Sequence, residues 1–232
     1  SYLPGEWVLQ GVSFHIDPHQ TVAFVGSTGS GKSTVAKLLL RFHDATKGAI
    51  RLDGVDLREL SQDEIRGRIA YVPQKAWLFS GTVASNLRFG NEDATEADML
   101  HALQVAQSTF VLDQPQGLDT PVAQGGTNFS GGQRQRLAIA RALMKHADLY
   151  IFDDSFSALD FKTDAALRHA LQDETRDAAV LIIAQRISTI LHADQIVVLK
   201  DGEVVGLGTH GELMETCEVY RAIAESQMKG GE

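Results

Sequence analysis

Residues 25–34 read Val25-Gly26-Ser27-Thr28-Gly29-Ser30-Gly31-Lys32-Ser33-Thr34, a glycine-rich loop that decides the fold class of this 232-residue chain. A short β-branched run (21–25) leads into the loop, and a helix-compatible apolar stretch (35–40) follows it. A strand, a glycine-rich loop and a helix in this order form the context that a phosphate-binding loop requires. The glycines let the backbone wrap closely around a polyphosphate, so that N–H groups and the helix N-terminus point at the anion. The stretch therefore predicts a phosphate-binding α/β protein.

The residues of this loop have distinct expected roles. Lys32 would contact the β- and γ-phosphates, and the Ser33 hydroxyl would bind Mg²⁺. The residues expected to bind the nucleotide are Gly26, Ser27, Thr28, Gly29, Ser30, Gly31, Lys32, Ser33 and Thr34. The alternative is a glycine-rich turn that only starts a helix, but both the residue pattern and its context match the binding loop. We therefore expect ATP or GTP together with Mg²⁺.

A second nucleotide element is the run Leu149-Tyr150-Ile151-Phe152-Asp153-Asp154. A buried strand that ends in an acid suits a Mg²⁺ site, because the sheet fixes the carboxylate where it can reach the metal or its water. Asp153 is the candidate on the metal side. Taken alone, such an acid more often caps a turn or a helix, but its pairing with the phosphate loop favours the metal role.

Composition excludes several other classes of protein. The formal net charge is −9, which gives no field that favours nucleic acid or an anionic membrane surface. The single cysteine, Cys217, cannot form an internal disulfide, so a reducing cytoplasm fits best. The longest apolar run (178–184) is far shorter than the roughly 18 to 20 residues needed to cross a bilayer.

Short β-branched runs alternate with longer amphipathic stretches, as in α/β proteins with a largely parallel sheet. The predicted strands are 12–16, 21–25, 49–52, 69–72, 149–153, 180–184, 195–199 and 203–208. Asp201-Gly202 is a two-residue hairpin signal between the last two. Between residues 80 and 145 the pattern turns helical, with predicted helices at 82–87, 96–107 and 133–144. We expect a helical subdomain there, inserted between sheet strands.

The segment Asn128-Phe129-Ser130-Gly131-Gly132-Gln133-Arg134-Gln135-Arg136 resembles the signature motif of ATP-binding cassette (ABC) ATPases. Ser130 and the amides of Gly131 and Gly132, at the start of an apolar helix, would make an anion site that also includes Gln133. The resemblance implies that this site is offered to a nucleotide held by the other protomer of a head-to-tail dimer. It also implies a RecA-like P-loop NTPase core (1–79 and 146–232), an antiparallel β-subdomain near the N-terminus, and the α-helical subdomain (80–145).

Further motifs extend the resemblance over nearly the whole chain. Gln74 is similar to the Q-loop glutamine that touches Mg²⁺ and the attacking water, and Ser157-Ala158-Leu159-Asp160 resembles the D-loop at the dimer interface. Tyr2 lies where the family places the aromatic ring that stacks on adenine, with Trp7 as a less favoured substitute.

Three stretches narrow the match to exporter-type cassettes. They are Leu78-Phe79-Ser80-Gly81-Thr82-Val83, the X-loop-like 120–126 (with Gln124 in place of the usual glutamate), and the ending 201–213. The resemblance implies a second nucleotide-binding domain as partner, and a transmembrane domain, fused N-terminally, whose coupling helices the cassette contacts. It also implies a location at the cytoplasmic face of the membrane and no nucleic-acid partner.

Two positions expected to act in catalysis also depart from the family pattern. Asp154 stands where most members have the glutamate that activates water, and Gln185 stands where they have a histidine that contacts the γ-phosphate. Aspartate is one methylene shorter, a retreat of roughly 1.5 Å, and glutamine cannot carry charge or exchange a proton. With Gln74, these are the candidate catalytic residues, and the expected site binds ATP and hydrolyses it slowly.

Because the signature motif is intact, the chain resembles the degenerate half of a heterodimeric exporter. Other readings of the sequence stay open. They are a working homodimeric exporter, an engineered ATP trap, a soluble ABC ATPase of DNA repair or chromosome organisation, and a regulatory ATP-binding module.

Overall fold

The computed structural model describes residues 7–229, with side chains through residue 227. Its strands are β1 (Thr21–Gly26), β2 (Arg51–Leu52), β3 (Val55–Asp56), β4 (Ile69–Val72), β5 (Gly81–Thr82), β6 (Pro121–Val122), β7 (Leu149–Asp153), β8 (Ala179–Ile183), β9 (Gln195–Lys200) and β10 (Glu203–Gly208). Its α-helices are α1 (Lys32–Leu39), α2 (Gln62–Arg68), α3 (Val83–Arg88), α4 (Glu96–Val105), α5 (Gly131–Leu143), α6 (Phe161–Glu174), α7 (Ile187–Ile190), α8 (His210–Thr216) and α9 (Glu218–Lys229).

Six of the strands within residues 7–229 form the central sheet, in the order β10-β9-β1-β8-β7-β4. All neighbours pair in parallel except β10, which runs antiparallel to β9. The predicted hairpin signal joins these two strands, with Asp201 at φ 50° and Gly202 at φ 83°. Central strands of a parallel sheet are covered on both faces, which explains why they read as continuous apolar runs. The sheet confirms the predicted mixed α/β class with a RecA-like arrangement.

Because side chains alternate between the two faces of the sheet, the buried strand residues belong to two apolar cores. Val22, Phe24 and Ile151 pack on one face with Val35 of α1 and Ile65 of α2. The opposite face belongs to a larger core that takes in the other helices; its members include Ala23, Val25, Phe152, Leu137 and Met99. Helices α3, α4 and α5 therefore pack in the same apolar cluster as one face of the sheet.

The topology places several loops at one edge of the sheet. Strands β1, β7, β8 and β4 run in the same direction, so their carboxyl ends meet there. Gly26 ends β1, Asp153 ends β7, and Gln74 and Gln185 lie two residues beyond β4 and β8. Ligands of open α/β sheets bind at this edge.

Several predicted elements are wrong in detail. Residues 12–16 alternate between exposed and partly buried, as expected of a strand, yet they pair with no strand within residues 7–229. Phe14 packs on Phe24, with ring centroids 4.9 Å apart. The predicted strand at 49–52 is reduced to β2, which pairs only with β3. Near the N-terminus, the antiparallel pairing within residues 7–72 is therefore limited to this one hairpin.

The stretch 80–145 contains the expected helices, but it also contains a two-stranded ladder that the pattern did not reveal. Strands β5 and β6 pair over two residues each, and one of these residues is Pro121, which has no N–H to donate. Such a short ladder leaves no β-branched run to detect. Helix α5 begins at Gly131, two residues earlier than predicted, because Ser130 caps it. No helix in residues 7–229 is long and apolar enough to cross a membrane.

Candidate functional site

The glycine-rich loop bridges the end of β1 and the start of α1. A Cβ atom on Gly26 would collide with the backbone oxygen of Leu199, and one on Gly31 would lie 2.6 Å from Leu9 Cδ2. Gly29 and Gly31 also have φ of 84° and 102°, a region that favours glycine. Close packing and backbone conformation therefore both require glycine in this loop.

Lys32 folds back over the loop that precedes it. Its Nζ donates hydrogen bonds to the carbonyl oxygens of Gly26 (2.7 Å) and Ser27 (2.8 Å). The Lys32 side chain is almost fully buried, and burial lowers its pKa, while the nearby charges of Asp154 and Asp153 act in the opposite direction. A partly desolvated ammonium group at a helix N-terminus fits an arriving polyphosphate, whose charge would favour the protonated amine.

Asp153 is held through both of its carboxylate oxygens. Ser33 Oγ donates to Oδ1 at 3.5 Å, and the Tyr71 hydroxyl donates to Oδ2 at 3.2 Å. Burial raises the Asp153 pKa, and the hydrogen bond from Tyr71 opposes this shift. A hydroxyl and a carboxylate are the hard oxygen donors that Mg²⁺ takes beside substrate phosphates, so this donor set fits the metal. Within the described residues no cluster of three or more His, Cys, Asp or Glu side chains offers an alternative metal site.

Asp154, the next residue, has a left-handed backbone conformation with φ 48°. Its N–H donates to the Ile183 carbonyl oxygen at 2.7 Å, which fixes the turn after β7 against β8. Asp154 Oδ2 accepts hydrogen bonds from Gln74 Nε2 (2.8 Å) and Gln185 Nε2 (3.0 Å). The three residues predicted to be catalytic therefore meet at a single oxygen atom.

The signature residues form the N-terminus of α5. Ser130 Oγ accepts from the Gln133 N–H at 3.2 Å, and Gln133 Oε1 accepts from the Ser130 N–H at 2.9 Å, which makes a capping box. A Cβ atom on Gly132 would lie 3.2 Å from the Ala158 carbonyl oxygen, so the helix packs closely on the D-loop-like segment. In residues 7–227 no hydrogen bond or ion pair joins these residues to the phosphate loop.

The remaining predicted residues are those of the phosphate loop and the two aromatic candidates for adenine stacking. Ser27, Thr28, Gly29 and Ser33 are exposed on the loop, whereas Ser30 is buried and Thr34 is partly buried. Tyr2, the predicted adenine-stacking residue, lies outside the described residues. Trp7 is exposed, and its ring lies 5.3 Å from Lys47 Nζ.

Sequence reasoning missed the residues that support the site. Tyr71 contacts Asp153, and Gln135 Nε2 donates to the Pro73 carbonyl at 3.0 Å, beside Gln74. Gln227 of α9 holds the backbone of Gln185 by a bond of 2.6 Å to its carbonyl oxygen. Strand parity could have found Tyr71, because it pairs with Ile151 and therefore points to the same face of the sheet as Asp153.

Comparisons with known proteins identify the family of the chain. The sequence profile of the ABC transporter family matches residues 9–157. An uncharacterized ABC transporter ATP-binding protein of Mycobacterium tuberculosis (strain ATCC 25618 / H37Rv) is 49% identical over 95% of this chain and 38% of its own length. The ATP-dependent lipid A-core flippase of Photobacterium profundum is 42% identical over 94% of this chain and 38% of its own length.

Among solved structures, a bacterial Atm1-family ABC exporter with ATP bound superposes with a TM-score of 0.94 at 35% identity. The match covers 98% of this chain and 40% of the exporter chain. The chain thus spans about two fifths of the length of these relatives. The profile match and these identities show that the chain belongs to the ABC transporter family, as an ATP-binding domain homologous to those of ABC exporters.

Proposed function

We propose that the chain is the cassette of an ABC exporter that binds Mg-ATP, dimerises with a second cassette and drives export, while its own site hydrolyses ATP slowly. The observation that carries the proposal is the sharing of Asp154 Oδ2 by Gln74 and Gln185. Both amides donate to the same carboxylate oxygen, and the Asp154 side chain is one methylene shorter than that of glutamate. Neither amide can take up or release a proton at neutral pH.

In this proposal, Lys32 and the loop amides hold the β- and γ-phosphates, and Ser33, Asp153 and Gln74 hold Mg²⁺. The metal, when bound, neutralises charge that develops on the phosphate oxygens. Support comes from the partly desolvated Lys32 ammonium group and from the hydroxyl and carboxylate donors that face each other at 3.5 Å.

Hydrolysis requires in-line attack of a water oxygen on the γ-phosphorus, as the bond to the bridging oxygen of ADP breaks. Asp154 is the group that would accept the water proton, and Oδ1 is the oxygen that its two amide contacts leave for this role. A general base contributes on the order of 10²- to 10⁴-fold, and only within hydrogen-bond reach. A shorter side chain held back by two donors is therefore expected to be a weak base.

The signature motif is proposed to complete the partner's site. Ser130 and Gly131 are exposed at the start of a 13-residue helix, whose N-terminus favours an anion. The partner we propose is a different chain with the glutamate and histidine that this chain lacks. The same asymmetry favours a heterodimer over two identical copies.

Coupling to a membrane domain is the last part of the proposal. Trp77 and Phe79 are exposed just beyond Gln74, and the ring of exposed Phe89 lies 4.6 Å from that of Phe79. Phe89 also lines an open cavity of about 190 Å³ between β4 and α5. We propose that this surface receives coupling helices of a transmembrane domain, fused N-terminally, at the cytoplasmic face of the membrane. The greater length of the matched relatives supports this arrangement. The division into a core (1–79 and 146–232) and a helical unit (80–145) belongs to the same proposal.

A complementation assay tests the proposed exchange of sites with this chain alone. One copy is wild type; the other carries Asp154→Glu and Gln185→His to restore its catalytic residues, and Ser130→Glu to block its signature motif. Neither copy should hydrolyse ATP well alone, whereas the mixture should, because wild-type Ser130 completes the restored site. Ser130→Glu in both copies is the matched control and should abolish the gain. Equal rates for the mixture and the separate copies would contradict the proposal.

A further inference from the structure

Tyr71, which is not part of the nucleotide-binding motifs, donates a hydrogen bond to the Asp153 carboxylate. Tyr71 lies on β4, and its parallel partner on β7 is Ile151. Because side chains alternate along a strand, Ile151 and Asp153 point to the same face of the sheet, and Tyr71 points there too. Helix α1, which carries Ser33, covers this face.

The phenol group and Ser33 hold opposite sides of the carboxylate. Tyr71 donates to Oδ2 at 3.2 Å and Ser33 donates to Oδ1 at 3.5 Å. With both oxygens engaged, rotation of the carboxylate about its Cβ–Cγ bond would break a hydrogen bond. The oxygen nearest to the predicted metal ligand Ser33 is thereby kept in place.

Burial makes this contact significant. Asp153 is 6% exposed, so few water molecules can replace a lost donor. The loss of a donor is more costly for a buried charged acceptor than for a neutral one.

We propose that Tyr71 is a positioning residue for Mg²⁺, which orients the Asp153 carboxylate so that Oδ1 and Ser33 Oγ face the metal together. The inference rests on the proposed Mg-ATP binding function. In this proposal Tyr71 acts on the metal only through its hydrogen bond to Asp153. The effect should therefore appear in the dependence of nucleotide binding on Mg²⁺ and not in the metal-free affinity.

The test compares the wild-type chain with Tyr71→Phe, using the fluorescent probe N-methylanthraniloyl-ATP. Affinity is measured in EDTA and over a titration of Mg²⁺. The half-saturating Mg²⁺ concentration should rise about ten-fold in Tyr71→Phe, the change expected for a lost hydrogen bond to a charged acceptor, while the affinity in EDTA stays within about two-fold. Tyr150→Phe is the matched control, because Tyr150 is buried on β7 and its hydroxyl accepts from the Ala147 N–H. This control should leave the Mg²⁺ dependence unchanged.

An unchanged or lower half-saturating Mg²⁺ concentration in Tyr71→Phe would overturn the inference, and so would an equal loss of affinity with and without Mg²⁺. If the wild-type chain bound no probe in either buffer, the proposed function itself would fail, and this inference with it. A second measurement keeps the Tyr71 hydroxyl. The chain contains four tyrosines, and labelling with 3-fluorotyrosine allows ¹⁹F NMR to follow each of them. Adding Mg²⁺ to the ATP-bound chain should shift the Tyr71 resonance more than that of Tyr150, and the reverse order would contradict the proposal.

Discussion

Gln185 Nε2 donates to Asp154 Oδ2 at 3.0 Å, across 31 residues of sequence, and Gln74 donates to the same oxygen at 2.8 Å. Three loops, which follow β8, β7 and β4, are thus linked at one atom. Asp154 is 8% exposed, so these two amides take the place of solvent around that oxygen. The two glutamines predicted to be catalytic therefore both donate hydrogen bonds to the carboxylate of the third predicted residue, Asp154.

Removing both amides should cost more than the sum of the separate losses. Gln74→Leu and Gln185→Leu each delete one donor to a buried charged oxygen, and each should lower the free energy of unfolding by about 1–3 kcal/mol. The double variant leaves Oδ2 with neither donor, so the two changes should couple by at least about 0.5 kcal/mol. Urea denaturation of the four proteins measures this coupling, and strict additivity would show that the two bonds are independent.

Gly26→Ala should destabilise the fold by about 1–3 kcal/mol, because the added methyl group meets the backbone oxygen of Leu199. Gly67→Ala is the control: Gly67 lies in α2 with nothing within 4 Å of an added Cβ. That change should stabilise the protein by about 0.4–1 kcal/mol, since alanine loses less backbone freedom on folding than glycine does. Denaturant midpoints compare the two variants, and similar shifts would refute the packing argument.

Ser130→Ala should remove the N-cap of α5 and cost about 1 kcal/mol. For a domain of this size the expected fall in Tm is about 2–4 °C. Ser130→Gly should cost only a few tenths of a kcal/mol, because glycine is tolerated at this position. Thermal unfolding of both variants checks the ranking, and an unchanged Tm in Ser130→Ala would mean that the Ser130 hydroxyl does not cap the helix.

ATP affinity should fall with rising pH earlier than an ordinary lysine would predict. Burial lowers the Lys32 pKa in the free protein, and only the protonated amine attracts the phosphates. Proton loss therefore begins below the ordinary value of about 10.4, and binding weakens as pH rises through the lowered pKa. Isothermal titration with ATP from about pH 7 to pH 10 checks the sign. Lys32→Met, which keeps the length of the side chain without its charge, should bind weakly at every pH.

The lowered pKa of Lys32 has the opposite effect on stability: it makes the nucleotide-free chain more stable as pH rises. Lys32 binds its proton more weakly in the folded state than in the unfolded state, so its contribution to the free energy of unfolding increases as pH rises through the interval between the two pKa values. Lys32→Met should reduce this increase, and an unchanged pH dependence would exclude Lys32 as its source.

The parts of the site that are continuous in sequence could be predicted, and those that depend on distant partners could not. The loop from Gly26 to Ser33 and the strand that ends at Asp153 carry their own pattern. The bond from Gln74 to Asp154 spans 80 residues, and nothing in a local pattern specifies it. The φ of 48° at Asp154 is equally invisible, because aspartate more often adopts ordinary backbone angles.

The fold shows the same division. Strands that are buried on both faces of the sheet, such as β7, have continuous apolar runs. Such a run can be recognised in the sequence without knowing which strand pairs with it. Residues 12–16 have the alternation of a strand, but none of the strands in the described part of the chain pairs with them. Strands β5 and β6 have a ladder but only two residues each, which is too short for any period to appear.

In the proposed function, Asp154 and Gln185 make ATP hydrolysis slow at the chain's own site. The most direct measurement is the steady-state rate of Mg-ATP hydrolysis by the wild-type chain and by the Asp154→Glu/Gln185→His variant, at concentrations that allow self-association. We expect the variant to hydrolyse ATP at least about ten-fold faster, because Glu is a longer base than Asp154 and His has an ionisable ring that Gln185 lacks. Equal and robust turnover by both proteins would contradict it and favour a fully active cassette.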